Sequence, residues 1–161
     1  MQLRWNVACS RGTGPSVIDG VNTLQFSVSN LPAPDILAIA ATLQNDGVMH
    51  MPGNGVGGTA GVAAVNIGVA GELLVRPRAT SAPSLLVNIC PTDAMTGACL
   101  EPASSELSVP FAAESIMTFS IFATTTEVLA LDPASRRVFI EFFDSSGSLR
   151  GATSVAVEGR P

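Results

Sequence analysis

The sequence contains one histidine, His50, and it lies between Met49 and Met51. Imidazole is the usual general base of a hydrolase, and imidazole with thioether sulfur can bind copper. A Ser-His-Asp relay would have to use His50, but no Gly-x-Ser-x-Gly elbow is present. In a strand the two methionines point away from the histidine, so the three side chains do not converge on a metal. We therefore expect packing methionines beside an exposed histidine, with a hydrolase using His50 as a less favoured alternative.

Glu141 is the second candidate for chemistry, because it lies in a β-rich run between apolar residues and shares a face with Phe139 and Phe143. An acid beside two phenylalanines is either a catalytic group with a raised pKa or an edge charge that discourages strand pairing. A glycosidase would need a second carboxylate, and the sequence does not indicate where one would lie. We predict the edge charge.

Residues 53–58, Gly-Asn-Gly-Val-Gly-Gly, have the glycine spacing of a dinucleotide-binding loop. Such a loop needs a strand before it and a helix after it, whose N-terminal amides face the phosphate. Here Pro52 closes the preceding segment and Gly68 follows too soon for a good helix. The aspartates lie in predicted turns, without the alternating acids of a calcium loop. We expect a loop without phosphate, and no metal or cofactor.

Cys90 and Cys99 flank Pro-Thr-Asp-Ala-Met-Thr-Gly-Ala, a turn-rich segment that predicts a disulfide. Closing a ten-residue loop would stabilise the fold by about 2.5–3 kcal/mol. Free thiols and a metal site are the alternatives, although zinc wants four ligands. A disulfide indicates an oxidising compartment, so we expect an extracellular or cell-surface protein, with the periplasm possible. Cys9 is left over, as a buried thiol, a free thiol or the partner of another chain.

Composition argues against two kinds of partner. The 161 residues are 47% hydrophobic and only 13% charged, with a net charge of −5, and all eight positive charges are arginines. No cationic cluster of the kind that binds nucleic acid is present, so we expect no nucleic-acid partner. No run of eighteen apolar residues occurs, so we expect no membrane span. The length predicts one domain, residues 1–161.

Short runs of β-forming residues, separated by turn signals every 8–12 residues, predict an all-β fold of about 8–10 strands. The clearest is a hairpin over residues 137–157, with a turn at Asp144-Ser-Ser-Gly147. Five of the seven phenylalanines lie within twenty-five residues here and just upstream, which marks the core. Residues 62–67 form a strand candidate short enough to be buried on both faces.

Three further predictions concern how the strands pair. Residues 35–46 fit a helix or a strand, and we favour a strand that forms a hairpin with residues 48–51 through Asn-Asp-Gly. Residues 84–90 and 107–111 are predicted to form a hairpin around the cysteine loop. Pro77 predicts that its strand ends at a sheet edge, because proline cannot donate to a β-ladder.

Three blocks of sequence resemble a known class of module: residues 61–68, residues 88–100 with the cysteine pair, and residues 132–157 with the final hairpin. From about residue 35 to 157 the chain resembles an immunoglobulin-like β-sandwich module found in bacterial surface and secreted proteins, often of uncharacterised function. The resemblance implies an immunoglobulin-like antiparallel β-sandwich. It also implies a structural or adhesive unit of exported chains, whose partners are other copies or modules of surface proteins.

The expected function is therefore that of a non-enzymatic, exported structural or adhesive module. A carbohydrate-recognition module is the alternative, with glycans as the partners. Sugar binding usually uses an exposed aromatic platform. The chain has no tyrosine and one tryptophan, so Trp5 is the candidate for that platform, and a weak one.

Overall fold

The computed structural model describes residues 2–4, 10, 17–18, 20–25, 30–53, 56–80 and 84–161. Within them the chain forms strands, turns and loops and no helix, so the predicted all-β class is confirmed, and no described helix is available to cross a membrane. The strands are β1 (Gln2–Arg4), β2 (Thr23–Gln25), β3 (Ile36–Thr42), β4 (Val48–Met51), β5 (Gly58–Asn66), β6 (Gly71–Ala79), β7 (Leu85–Thr92), β8 (Leu107–Phe111), β9 (Ile116–Thr125), β10 (Arg137–Asp144) and β11 (Leu149–Gly159).

Nine of these strands form a sandwich of two sheets. The five-stranded sheet has the order β4-β11-β10-β6-β8, and the four-stranded sheet has the order β3-β5-β9-β7. β1 and β2 pair separately with each other. All pairings are antiparallel except that of β4 with β11, which is parallel and makes the larger sheet mixed. The predicted antiparallel sandwich is confirmed as a β-sandwich and has one parallel pair, at this edge.

The core lies between the sheets because apolar side chains alternate along the strands and the two inward faces meet. Along β10 the inward residues are Val138, Ile140 and Phe142, each fully buried. Phe142 meets Phe119 of β9 edge to face, with ring centroids 5.9 Å apart. The predicted phenylalanine core is only partly right, since Phe122 points outward and is 41% exposed.

The predicted final hairpin is confirmed by the pairing of β10 with β11. In its turn the Asp144 carboxylate accepts hydrogen bonds from the backbone amides of Ser146 and Ser148, and from the Arg150 guanidinium at 2.6 Å. Although desolvation opposes the shift, these hydrogen bonds and a further one from the Ser146 hydroxyl, which has the largest lowering effect, bring the pKa of Asp144 to about 2. Gly147 has a φ of +77°, the left-handed conformation that favours glycine.

Residues 36–42 form a strand, as favoured, but the predicted hairpin with residues 48–51 is wrong. β3 belongs to the four-stranded sheet and β4 to the five-stranded sheet, so the chain crosses the sandwich between them. Five residues, 43–47, separate the strands, a length that allows either a hairpin or a crossing between the sheets, and β4 pairs in parallel with β11 instead.

The second predicted hairpin is also wrong, because β7 and β8 lie in different sheets. The cysteine loop folds back on β7 itself. Its backbone forms two isolated antiparallel β-bridges with β7, one between Cys99 and Thr92 and one between Ser104 and Ile89. These contacts use the outer hydrogen-bonding edge of β7, so β8 pairs instead with β6 in the other sheet.

Pro77 lies in an inner strand, since β6 has β10 on one side and β8 on the other. The pairing with β8 ends at Val75 and Leu107, however, and Pro77 lies beyond that point opposite Ile140. Pro77 therefore has no strand paired on its β8 side. The prediction of a sheet edge is right for this end of β6 but wrong for the strand as a whole.

Asn66, the last residue of β5, is a fully buried polar side chain that joins the two sheets at one end. Its carboxamide oxygen accepts hydrogen bonds from the amides of Asp35 and Gly68. Its amide nitrogen donates to the carbonyl of Val69 at 2.8 Å and to that of Phe111, the last residue of β8, at 3.3 Å. No local sequence pattern predicted that Asn66 would join the two sheets.

Candidate functional site

His50 projects outward from β4 and contacts two carboxylates. Its Nε2 lies 2.8 Å from Oδ2 of Asp46, in the turn before β4, and its Nδ1 lies 3.2 Å from Oε2 of Glu158. The parallel register of β4 with β11 places His50 directly beside Glu158. Met49 and Met51 are buried on the other face, as expected, so they do not join His50 in a copper site.

The two carboxylates favour the charged imidazolium, because an imidazole ring donates from both nitrogens only when it is protonated. The hydrogen bond with Asp46 raises the pKa of His50 above its ordinary 6.5, and Glu158 adds to the effect. The same hydrogen bond lowers the pKa of Asp46 from 3.8 to about 2. His50 thus acts as an ion-paired clamp between the turn at residues 43–47 and β11.

A depression lies on each side of His50. One, of about 540 Å³, is floored by apolar side chains that include Met51 and Leu129, with Glu158 and Arg160 among its polar wall groups. The other, of about 280 Å³, is lined mainly by Leu43, Val48 and their neighbours. Among the described residues, the side chains that hydrogen bond to His50 are carboxylates and include no hydroxyl or thiol nucleophile.

Glu141 does not lie on a sheet edge, so its predicted role as an edge charge is wrong. β10 is the central strand of the five-stranded sheet, and the Glu141 carboxylate forms a two-pronged ion pair with the Arg78 guanidinium, at 2.7 Å for the shortest contact. The Glu141 side chain is 11% exposed and that of Arg78 is 48% exposed. Arg78 also covers the Phe139 ring at 4.8 Å, and Arg76 covers Phe143 at 5.1 Å. The charged groups of Glu141, Arg78 and Arg76 on this outer face therefore have partners within the chain.

The structure joins Cys90 and Cys99 by the predicted disulfide, with their Cα atoms 5.6 Å apart. Cys90 is fully buried on the outer side of β7, beneath the loop that carries Cys99. Within the loop, Asp93 accepts hydrogen bonds from the amides of Met95 and Thr96, and these lower the pKa of its carboxyl. The loop therefore has a defined fold.

The outer face of the four-stranded sheet is the largest feature that the sequence analysis missed. No residue of β3, β5, β7 or β9 carries a charge. The strand register aligns the outward side chains in rows across the sheet, the first being Leu37, Val65 and Ile116. Large apolar side chains on this face are exposed to solvent: Leu37, Ile39, Leu86, Ile116 and Phe122.

One sequence signal pointed to this surface. Residues 62–67 were predicted to form a strand short enough to be buried on both faces. A strand with one face in water normally alternates apolar and polar residues, and residues 62–65 do not. In the structure one face of β5 is core, with Val62 and Ala64 buried, whereas Gly61 and Ala63 on the other face are exposed. The structure therefore leaves an apolar strand face open to water.

Three of the sequence predictions involve residues that the structure does not describe. Trp5, the weak candidate for sugar binding, and Cys9 both lie outside the described residues, as do residues 54–55 of the glycine loop. Gly58, the last glycine of that loop, begins strand β5. A strand therefore follows the glycines, where a phosphate-binding loop would need a helix N-terminus.

The architecture is that of a β-sandwich domain. No family model matches the chain, and no curated protein matches it. Nineteen chains of solved structures do match. The N-terminal domain of PorA has a TM-score of 0.40 and 9% identity, over 77% of this chain and 98% of that one. A β-glucosidase from Listeria innocua has a TM-score of 0.36 and 15% identity, over 79% of this chain and only 16% of that one.

Proposed function

We propose that this chain is a non-enzymatic structural or adhesive module of an exported protein, and that it binds other protein modules through the outer face of the four-stranded sheet. The observation that carries the proposal is that face: four strands without a charge, presenting Ile39 at 74% and Ile116 at 70% exposure. Exposed apolar surface of this extent is characteristic of protein interaction sites.

The disulfide between Cys90 and Cys99 supports export, because such bridges form and persist in oxidising compartments. The His50 cluster supports a structural role, since both ring nitrogens are held by carboxylates. An ion pair of this geometry fixes two chain segments to each other. The immunoglobulin-like topology implied by the sequence resemblance belongs to this proposal as well.

The proposal is tested by binding of the purified chain to the cell-envelope fraction of the organism that encodes it. The variant Ile39→Arg places a charge on the outer face, which would have to be desolvated in any apolar contact. The matched control is Val128→Arg, because Val128 is also aliphatic and β-branched, is 70% exposed, and lies in the loop before β10.

We expect the wild type and Val128→Arg to bind the envelope equally, and Ile39→Arg to lose most of the binding. Equal binding by all three proteins would refute the proposed surface. A hydrolytic activity that disappears in His50→Ala would refute the non-enzymatic role. Finding Cys90 and Cys99 both reduced in protein purified from its native compartment would refute export.

A further inference from the structure

Gly61 lies at the centre of β5 on the uncharged outer face, and the monomer does not explain why it is glycine. A Cβ added there would meet no atom within 4 Å, and its φ lies outside the left-handed region. Every other glycine among the described residues either has a positive φ or would place a Cβ within 3.0 Å of another atom. Glycine inside a strand costs stability and often marks a place where another backbone comes close.

The side chains around Gly61 give the face a ridge and a trough. Small residues line the trough: Ala41 and Ser120 lie beside Gly61 on the neighbouring strands, and Ala63 follows it on β5. Towards the start of β3 the ridge rises, formed by Leu37, Ile39, Val65 and Ile116. Phe122 and Leu86 bound the trough on its other side. A trough of this shape fits a ridge of similar width.

We propose that the occupant of this face is a second copy of the same chain, packed sheet against sheet about a two-fold axis, with Gly61 at the contact. This inference rests on the proposed function and names the partner. The two-fold axis would lie in the plane of the interface and run along the boundary between the ridge and the trough. Rotation about it places the ridge of each copy over the trough of the other. The face is thus complementary to itself.

Charge and size support the same occupant. Each chain has a net charge of −5, yet the face has no charged side chain, so two copies meet here without burying like charges. A charged partner would lose hydration without gaining an ion pair. The outer sides of β3, β5 and β9 and the first half of β7, which the cysteine loop leaves open, give about 400 Å² of flat area per copy at a strand spacing of about 4.8 Å and a length of roughly 25 Å. The pair would bury about 800 Å² of flat area, to which the relief of the side chains adds, as expected for a weak dimer.

Sedimentation velocity of the whole chain, from micromolar to millimolar concentration, tests this inference. The wild type should reach twice the 16.5 kDa mass of one chain. Gly61→Leu fills the trough, and its Cβ meets no other atom of the monomer within 4 Å, so we expect it to weaken dimerisation by about tenfold or more, and Ile39→Arg to abolish it. Val128→Arg should dimerise like the wild type. Thermal unfolding monitored by circular dichroism establishes that each variant is folded.

A wild type that stays monomeric throughout, or a dimer that Gly61→Leu leaves unchanged, would overturn the inference. Gly61→Ala serves as a milder variant should Gly61→Leu fail to fold, with weakening in the same direction expected. Envelope binding separates the two proposals. If the wild type is monomeric while Ile39→Arg still loses envelope binding, the face binds a different protein and only the second copy is excluded.

Discussion

The two sheets contribute to one core, but their strands carry different residues outward. The strands of the five-stranded sheet contain nine Asp, Glu, Arg or His residues. The strands of the four-stranded sheet contain none. The nine are His50, Glu72, Arg76, Arg78, Arg137, Glu141, Asp144, Arg150 and Glu158.

Most charges of the five-stranded sheet have partners within the chain. Arg78 pairs with Glu141, and Arg150 pairs with Asp144. Arg137 donates to the hydroxyl of Ser154. The four-stranded sheet has apolar side chains in water instead. The comparison teaches that one face is completed by its own side chains while the other exposes apolar side chains to water, which is why we propose the second face as the binding surface.

The largest expected effect comes from breaking the junction between the sheets. Asn66→Asp removes the donor that serves the carbonyls of Val69 and Phe111 and places a charge in a fully buried site. We expect a loss of about 3–5 kcal/mol in the free energy of unfolding, measured by chemical denaturation. Asn88→Asp, on the outer face of β7, is the matched control and should cost less than about 1 kcal/mol. Equal losses would contradict the role of Asn66.

Reduction of the disulfide tests the edge of the four-stranded sheet. Opening the bridge between Cys90 and Cys99 should lower the free energy of unfolding by about 2.5–3 kcal/mol, because the unfolded chain gains the freedom of a ten-residue loop. Denaturation with and without reductant measures the difference. The double variant Cys90→Ala/Cys99→Ala should show no response to reductant, and a response there would place the effect elsewhere.

The five-stranded face is tested by removing one partner of its ion pair. Arg78→Ala leaves the Glu141 carboxylate unpaired with 11% exposure, at a cost of about 1–3 kcal/mol, less than for a fully buried pair because Arg78 is half exposed. Arg76→Ala loses only the contact over Phe143 and should cost about 0.5–1 kcal/mol. A larger loss in Arg76→Ala than in Arg78→Ala would contradict this assignment.

The smallest expected effect is the pH dependence of the His50 clamp. Because folding raises the pKa of His50 above 6.5, its contribution is complete below that pH and is lost as pH rises through the folded pKa. Because folding lowers the pKa of Asp46 to about 2, its contribution is present above 3.8 and is lost as pH falls toward 2.

The melting temperature of His50→Gln, compared with that of the wild type, measures this contribution. The difference should be larger at about pH 5.5 than at about pH 9. Asp46→Asn should reduce the same pH dependence, because it removes the stronger partner of His50. A difference that grows toward high pH would show that His50 acts in some other way.

Local patterns in the sequence predicted the elements of the fold well. Alternation and the turn at residues 144–147 predicted the final hairpin, and ten-residue spacing with turn residues predicted the disulfide. Pairing across the sandwich was not predictable, because a five-residue link such as 43–47 can turn back into a hairpin or cross to the other sheet. Local sequence does not encode that choice.

The candidate sites were predictable to a smaller extent. The alternation around His50 placed its neighbours correctly, but Asp46 and Glu158 reach it through a parallel pairing between distant strands. Glu141 was wrongly assigned to a sheet edge. Its strand, β10, lies at the centre because β6 and β11 pair with it on either side, and the local sequence does not show the pairing with β6. The outer face was visible only as missing charge in four separate strands, and the register that brings those strands together is a tertiary property.

Hydroxyl-radical footprinting of the protein in its native setting, compared with the purified chain at high dilution, tests most directly whether the uncharged face is covered. We expect labelling of Leu37, Ile39 and Leu86 to fall severalfold in the native setting, while labelling of Val128, which is 70% exposed, stays unchanged. Equal labelling of the face in both preparations would contradict the account, because it would show that this surface remains open to water where the protein works.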